Sequence, residues 1–286
     1  MTEEDSETRR VAIQGERGAF SEVAARAFFD HSIAIQSCPT FETLFAAVSS
    51  GQSHYGIAPV DNSLAGNIQP VWDLLRHATL PIVGEIELQV RHCLIGHEGV
   101  ETTALTRVLS HAQALAQCQE YLNRLDSVEQ VEVYDTAGAV KIVKESGESG
   151  AAAIASAAAA ATYGMSVLAA DIQTAPDNYT RFLVLAHEPG EPTVGHGEIK
   201  TTLLFELPDN GRDLPKLLTT FTDSGLDVLK VDACKQVGVP WTYTFLVEVA
   251  GAATASPLAE VLAEMTERVK MRVVGSYVSG RRCDSD

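Results

Sequence analysis

The stretch Asp177-Asn178-Tyr179-Thr180-Arg181-Phe182-Leu183-Val184-Leu185 combines a polar turn with the start of an apolar strand. Pro176 and the two Asx residues predict the turn, because proline fixes φ and Asx side chains bond nearby backbone groups. The apolar run that begins at Phe182 predicts a buried strand. A hydroxyl and a guanidinium therefore stand where a loop enters a core strand, a place where rigid scaffolds often hold reactive groups. These residues alone favour an ordinary strand start, so their meaning depends on the rest of the chain.

Length and composition predict a globular protein. The chain has 286 residues, of which 45% are hydrophobic, which is enough for two domains or one large domain. No apolar run reaches the roughly 18 residues of a membrane span, and Met1–Arg10 lacks the apolar core of an export signal. The five cysteines are scattered without a C-x-x-C pair, which argues against a zinc site and a disulfide framework. We therefore expect a cytoplasmic protein with no membrane partner and no metal.

The charge balance is strongly acidic. The chain has 38 acidic and 21 basic residues, which gives a formal net charge of −17. Nucleic acid is therefore a poor partner, because phosphate binding needs a basic surface. If the substrate is an anion, we expect its site to be a local basic island within this field.

Polar residues follow several predicted strands at the point where a helix begins. Ser21 is the predicted N-cap of the first helix, after a glycine turn whose spacing fits neither a dinucleotide fingerprint nor a P-loop. Ligands in open α/β sheets collect at the carboxyl ends of strands. A shared binding site is therefore favoured by four such junctions: Gly15–Ser21, Asn62–Ser63, His111–Gln113 and Asp135–Thr136.

The pattern changes after a segment rich in proline and glycine at residues 187–197, which predicts a linker. The remaining chain alternates as strand, helix, strand, strand, helix, strand. This order is the ferredoxin-like arrangement. We therefore expect an α/β domain over residues 1–190 and a smaller βαββαβ domain over residues 198–286.

Several of these motifs, taken in order, resemble the prephenate dehydratase family, with the regulatory ACT domain that usually follows it. The Thr-Arg-Phe element at residues 180–182 is the family's hallmark. Further matches occur along the chain: Gly15 to Ser21, Pro59-Val60-Asp61-Asn62-Ser63 with Gly66, His92-Cys93-Leu94, Ser110-His111 with Gln113-Ala114-Leu115 and Gln117-Cys118, Thr136-Ala137, Ala152 to Ser156, and Asn178.

The resemblance implies a fold and a reaction. The catalytic domain is expected to have two α/β subdomains with a cleft between them, similar to periplasmic binding proteins. The expected reaction is that of a carbon–oxygen lyase in phenylalanine biosynthesis, which turns prephenate into phenylpyruvate, water and carbon dioxide without metal or organic cofactor. Since ACT domains commonly pair, a homodimer or homotetramer is expected.

The resemblance also assigns roles to residues. Thr180 is expected beside the leaving hydroxyl, and Arg181 is expected to anchor a carboxylate or to brace the cleft. His111 is interpreted as a helix cap. Neutral hydrogen-bond donors for the substrate are expected from Ser21, Asn62, Ser63, Gln113 and Asn178. The sequence does not indicate which residue binds which carboxylate.

Two parts of the chain depart from the family pattern. Ala19 stands in the first loop where the family usually has threonine, so one donor is absent there. In the second domain, Arg212-Asp213-Leu214 and Asp232-Ala233-Cys234 stand where the family binds its feedback inhibitor L-phenylalanine. Phenylalanine control, another amino-acid effector and a role in dimerisation alone therefore stay open.

Two alternatives to prephenate dehydration remain. Arogenate dehydratase acts on the same ring with an amino group in place of the keto group. A ligand sensor on the same fold would bind without turnover. The Thr-Arg-Phe element and Asn62-Ser63 favour an enzyme, whereas Ala19 and the altered second domain favour a sensor.

Overall fold

The computed structural model describes residues 8–29, 32–125, 127–190, 197–207, 211–235 and 243–285. Within these ranges the chain forms three β-sheets, one in each of two lobes and one in the C-terminal unit. No helix in these ranges has the length and apolar character needed to cross a membrane.

The first lobe is a sheet flanked by helices. The first strand of the chain is buried along Val11, Ala12 and Ile13, as expected for a strand covered on both faces. Its early elements are β1 (Arg10–Gln14), α1 (Phe20–Phe29), β2 (Ala34–Cys38), α2 (Phe41–Ser49), β3 (Tyr55–Asn62), β4 (Gly66–Asn67), α3 (Gln69–His77) and β5 (Ile82–Gln89). The predicted N-cap Ser21 is wrong, because α1 begins at Phe20 and Ser21 lies in its first turn. The Glu22 carboxylate instead accepts from Gly18 N at 2.8 Å.

The second lobe has its own sheet and core. Its elements are β6 (Cys93–Gly96), a 3₁₀ turn (Thr102–Ala104), β7 (Arg107–Ser110), α4 (Ala112–Gln117), α5 (Gln119–Leu122), β8 (Glu129–Glu132), α6 (Thr136–Ser146), β9 (Ala151–Ala155), α7 (Ala157–Tyr163) and β10 (Ser166–Ala169). The strands are ordered β10-β6-β9-β7-β8. The His111 ring caps α4 by accepting from Gln113 N, which confirms the predicted cap.

Two segments carry the chain between the lobes. The chain leaves after β5 and returns with β11 (Tyr179–Ala186), which enters the first sheet between β3 and β5. The crossing segments bond to each other, since Val90 N donates to Asn178 O at 2.7 Å and Ile172 N donates to His92 O at 3.0 Å. The stretch from Asp177 to Leu185 is therefore both part of a crossing segment and part of a core strand. The predicted two-lobed α/β architecture is confirmed.

The C-terminal unit has the predicted βαββαβ order. It consists of β12 (Ile199–Glu206), α8 (Leu214–Asp223), β13 (Val228–Lys235), β14 (Tyr243–Ala250), α9 (Leu258–Thr266) and β15 (Lys270–Val278). The antiparallel order β13-β14-β12-β15 confirms the ferredoxin-like arrangement. The middle of the predicted linker, residues 191–196, lies outside the described residues, and the boundaries 1–190 and 198–286 stay predictions.

The ferredoxin-like sheet packs directly on the first lobe. Leu204, Leu246 and Tyr277 share a hydrophobic core with Trp72 and Leu75 of α3. A last strand, β16 (Arg281–Cys283), runs parallel to β5 and so extends the first lobe's sheet. The C-terminal unit is thus joined to the sheet that contains β11.

Candidate active site

A cavity with a volume of about 470 Å³ lies between the two lobes. Its walls come from both lobes and from the crossing segments. Thr180, Asn62, Ser21 and Gln113 of the predicted site all line it. Ser63, Asn178 and Arg181 are not among the described residues that line it. The structure therefore brings together four of the seven predicted substrate and catalytic residues.

A chain of amide side chains leads to Thr180. The Asn62 side-chain nitrogen Nδ2 donates to Thr180 Oγ1 at 3.0 Å and to Asn178 Oδ1 at 2.8 Å. Asn178, which is fully buried, passes the contact on by donating Nδ2 to Gln117 Oε1 at 3.1 Å. Asn178 is therefore not among the described residues that line the cavity, but it links Asn62 in one lobe to Gln117 in the other.

Backbone N–H groups set the direction of every bond in this chain. Leu64 N and Ala65 N both donate to Asn62 Oδ1, at 3.1 and 2.9 Å, so the Asn62 Nδ2 group must face Thr180 and Asn178. Thr180 Oγ1 therefore accepts, and its own proton is directed elsewhere. By the same argument Gln117 Oε1 accepts from Asn178, which leaves the Gln117 Nε2 group as a donor.

Gln117 and His92 line the cavity, although neither was among the predicted site residues. His92 Nε2 lies 2.9 Å from Gln117 Oε1, which is already an acceptor, so Nε2 has the proton. Burial lowers the pKa of His92, in agreement with a neutral ring. A signal for Gln117 was present in the sequence: it lies one helical turn after Gln113, and residues four apart share a helix face.

The remaining predicted residues lie on the other side of the sheet. Ser63 Oγ accepts from Tyr179 N at 2.9 Å and donates to Asp177 O at 3.1 Å, which ties the turn to the strand. Arg181 follows Thr180 directly, and successive side chains of a strand point to opposite faces. Thr180 faces the cavity, so Arg181 faces the ferredoxin-like unit.

Arg181 joins a buried cluster of charges between the first lobe and the ferredoxin-like unit. Its guanidinium donates to Asp61 at 2.8 Å, to Glu85 at 3.1 Å and to Glu248 of β14 at 2.7 Å. Lys200 of β12 bonds Glu248 at 2.9 Å and Glu85 at 2.8 Å. We call this group the interdomain charge cluster; its members are Asp61, Glu85, Arg181, Lys200, Lys230, Asp232 and Glu248. The carboxylates of the cluster bond the Arg181 guanidinium, which was expected to anchor a substrate carboxylate.

The pKa values in the cluster follow from these contacts. Burial alone would raise the pKa of Asp61, but Arg181 and Lys230 outweigh it and hold that pKa below its usual value. Burial likewise opposes ionisation of Glu248, and Arg181 and Lys200 reverse the effect, so its pKa is also lowered. The carboxylates of both residues are therefore favoured in their ionised form by the interface.

The first loop closes on the second lobe at the opposite side of the cavity. Glu16 N donates to Asp135 Oδ2 at 2.7 Å, and Ser156 Oγ donates to Gly18 O at 2.6 Å. Gly15 has φ +101°, and a Cβ there would lie 2.4 Å from Asp135 Oδ2, so glycine is required on both counts. The backbone of the loop from Gly15 to Gly18 thus packs against the second lobe, where the Asp135 carboxylate caps α6.

The cavity is not the basic island expected for an anionic substrate. None of the described residues that line it is Lys or Arg. Donors come instead from neutral side chains and from the N-terminus of α1, where backbone N–H groups carry partial positive charge. The N-terminus of α6 is already capped by the Asp135 carboxylate, which accepts from Ala137 N. No group of three His, Cys, Asp or Glu side chains in the described ranges is arranged to hold a metal ion, and the absence of a cofactor stays a prediction.

The predicted regulatory residues lie around the start of α8 and within β13. Arg212 and Asp213 are exposed before α8, and Leu214 begins that helix. The close approach falls at Gly211, with φ +86° and a Cβ position 2.5 Å from the Phe245 ring. Asp232 pairs with Lys230 at 3.0 Å, Ala233 is exposed, and the side chain of Cys234 lies outside the described part of the chain.

The fold and the cavity together define a two-lobed α/β protein that has a cavity lined mostly by neutral side chains between its lobes and a ferredoxin-like unit docked on one lobe. The prephenate dehydratase family model matches residues 11–190. The chain belongs to the prephenate dehydratase family, as its motifs predicted.

Individual relatives support this assignment. The chain is 40% identical over 224 residues to arogenate dehydratase 2 of Petunia hybrida, covering 78% of this chain and 56% of that protein. It is 34% identical over 269 residues to a bifunctional chorismate mutase/prephenate dehydratase of Neisseria gonorrhoeae, covering 93% of this chain and 74% of that protein. The chain therefore spans little more than half of the plant relative.

Two solved structures share nearly the whole fold. GqqA, described as a novel type of quorum quenching acylase, matches with a TM-score of 0.85 and 31% identity over 95% of this chain and 98% of that one. The prephenate dehydratase of Arthrobacter aurescens in complex with L-Phe matches with a TM-score of 0.85 and 26% identity over 95% of this chain and 90% of that one.

Proposed function

We propose that this protein is a dehydratase that converts prephenate to phenylpyruvate, carbon dioxide and water, a step of phenylalanine biosynthesis. The family assignment supports the reaction. The observation that carries the proposal within the site is the direction of the bond between Asn62 and Thr180, which leaves the Thr180 proton available to a substrate.

The reaction needs help at the oxygen that leaves. The bond to the ring carboxylate breaks, its electron pair enters the ring, and the hydroxyl across the ring departs with the pair of its C–O bond. The departing hydroxide takes up one proton to become water. A threonine hydroxyl is a weak acid, so Thr180 donates a hydrogen bond to the leaving oxygen, and the proton itself comes from solvent.

The carboxylates of the substrate must be held without a cation in the cavity wall. The Nε2 group of Gln117, the side chain of Gln113 and the hydroxyl of Ser21 are donors from the two lobes. The N-terminus of α1 adds backbone N–H groups and a favourable helix dipole. Arg181 acts indirectly in this proposal, by bracing the sheet that contains Thr180.

Substitution of Thr180 tests the proposal. Thr180→Ala should lower kcat for prephenate by about 10²–10³-fold, the loss seen when one key donor is removed, with an unchanged circular dichroism spectrum. Thr180→Ser, which keeps the hydroxyl, should retain much of the activity. Phenylpyruvate absorbance reports turnover.

Near-normal kcat in Thr180→Ala would remove the proposed role of this hydroxyl. No turnover of prephenate or of arogenate by the wild-type protein would favour the non-catalytic sensor.

The similarity to GqqA raises acylase activity as a second candidate. Hydrolysis of an acyl group needs an activated nucleophile, usually one that is hydrogen-bonded to a base. Thr180 Oγ1 accepts from an amide instead, and among the described contacts no base bonds to the hydroxyl of Thr180 or Ser21. The site therefore supports the dehydratase over the acylase.

We also propose that L-phenylalanine binds the ferredoxin-like unit, as an ACT domain, near Arg212, Asp213, Leu214, Asp232, Ala233 and Cys234. The Arthrobacter aurescens relative in complex with L-Phe supports an effector of this kind. The close approach at Gly211 supplies the small residue that the family motif requires, one position before Arg212. Calorimetry with L-phenylalanine, and light scattering for the proposed homodimer or homotetramer, test these two points.

A further inference from the structure

The described cavity wall carries a negative group, whereas an anionic substrate was expected to meet positive charge. Of the described residues that line the cavity, Asp135 is the only one with a carboxylate, and none is Lys or Arg. A substrate with two carboxylates would therefore meet a fixed negative group and no fixed positive group. This arrangement suits a ligand that brings a positive charge of its own.

Asp135 lacks a cationic partner within the described part of the chain. Its oxygens accept only from backbone donors there, Glu16 N at 2.7 Å and Ala137 N at 2.8 Å among them. The nearby cation Lys141 bonds Glu16 instead, at 3.1 Å. Burial raises the pKa of Asp135, and the charge of Glu16 raises it further, although the backbone donors oppose this shift. A buried carboxylate without a counter-ion is stabilised by an ammonium group that enters with a ligand.

The position of Asp135 fits one end of the substrate. Thr180 and its amide chain lie on the first lobe and the crossing segments, whereas Asp135 begins α6 on the second lobe. In the ring acids of this reaction the leaving hydroxyl and the three-carbon side chain are attached to opposite ring carbons. A molecule with its hydroxyl at Thr180 therefore directs its side chain toward the other wall of the cavity.

We propose that Asp135 is a specificity-determining residue that binds the α-ammonium group of arogenate, so that the protein acts on the amino substrate in preference to the keto substrate. The inference rests on the proposed dehydratase function and names its substrate class. The keto oxygen of prephenate would present an acceptor to an acceptor. The ammonium of arogenate donates to the carboxylate and reduces the net charge that the cavity must hold.

A purely structural role for Asp135, as the cap of α6 and the anchor of the first loop, makes a different prediction. Loss of a structural contact lowers turnover of both substrates by a similar factor. Loss of an ammonium partner changes the ratio of the two kcat/KM values, in which a general defect of folding or lobe closure cancels.

The experiment measures kcat/KM for arogenate and prephenate in the wild type and in Asp135→Asn, which keeps the size and an N-cap oxygen. The wild type should favour arogenate by at least about tenfold, and Asp135→Asn should lower that ratio by about 10–100-fold, the range for a hydrogen bond to a charged group. Asp135→Ser, which keeps a capping oxygen, serves if Asp135→Asn does not fold. Asp171→Asn is the matched control, because Asp171 pairs with Arg91 outside the cavity.

A wild type that prefers prephenate, or a ratio that is the same in wild type and Asp135 variants, would overturn the inference and leave the dehydratase function standing. Turnover of neither substrate by the wild type would overturn the proposed function and the inference with it.

Discussion

The two faces of β11 place adjacent residues, Thr180 and Arg181, in opposite kinds of surroundings. Thr180 faces a cavity whose polar groups are mostly uncharged, and its contacts form a one-directional chain of amides. Arg181 faces the interdomain charge cluster, where its guanidinium meets three carboxylates. Adjacent residues of one family motif can therefore have separate surroundings, since one side chain faces the cavity between the lobes and the other joins the charges between two units.

The difference has an energetic basis. Amides supply fixed donors without the cost of removing a full charge from water, so a cavity built from them can accept an anion by substituting for its hydration. A buried guanidinium needs its carboxylates, and each carboxylate needs it, which makes the contact between units specific and hard to shift. Substitutions on the two faces should therefore separate stability from turnover.

The largest effect should follow loss of Arg181. Arg181→Ala leaves the Glu85 and Glu248 side chains, both 3% exposed, without the guanidinium, and breaking one partner of a buried charge pair costs about 3–5 kcal/mol of unfolding free energy. Urea unfolding followed by circular dichroism measures this. Arg282→Ala is the control, because that side chain is 72% exposed in its pair with Glu87 and should cost at most about 1 kcal/mol.

A second substitution sharpens this result. In Arg181→Ala, Lys200 is left to neutralise both Glu85 and Glu248. Glu248→Gln added to Arg181→Ala removes one of these two charges and should recover part of the loss, since residues of one network couple. If Arg181→Ala costs no more than Arg282→Ala, the charge cluster does not hold the two units together.

The contrast between Thr180 and Arg181 also shows how far sequence patterns reach. The alternation after residue 198 was sufficient for the ferredoxin-like arrangement, because periodicity is a local property. Thr180 was predicted from the family motif together with Arg181, yet the twofold period of a strand already implied that the two side chains separate. What Arg181 contacts depends on Glu248 and Lys200, which are distant in sequence, and no local pattern reports such a pairing.

The cavity was harder to predict than the strands around it. Gln113 was predicted and Gln117 was not, although both lie on one face of α4. The expected basic island was wrong because charge counting ignores helix N-termini and oriented amides, which bind anions without formal charge. The docking of Arg281–Cys283 against β5 had no local signal, because a short charged segment becomes a strand only through its partner.

A change at Asn62 tests the amide face and should have the next largest effect. Asn62→Asp is nearly isosteric, but a carboxylate only accepts, so the Thr180 proton would turn to it and away from the leaving oxygen. We expect kcat to fall about 10²-fold, near the lower end of losses for a single key donor. The urea midpoint should fall as well, because the new carboxylate is buried and faces the acceptors Asn178 Oδ1 and Tyr179 O.

Asn123→Asp controls for the added charge, because Asn123 is exposed beyond α5 and its side chain accepts from Gln119. A variant Asn62→Asp that keeps more than half of the wild-type kcat would show that the direction of the bond to Thr180 is not essential for turnover.

The smallest effect should be the pH dependence of the charged face. The pKa values of Asp61 and Glu248 are lowered in the folded protein, so their contribution is complete above the unfolded values of about 4 and is lost as pH falls through the folded values. The raised pKa of Asp135 has the opposite sign, since its ionisation opposes folding as pH rises. The urea midpoint should therefore fall as pH drops from about 4.5 through the lowered folded values, and fall less in Arg181→Ala, where one partner that lowers both pKa values is gone. Equal falls in the two proteins would mean that the acid sensitivity arises outside the charge cluster.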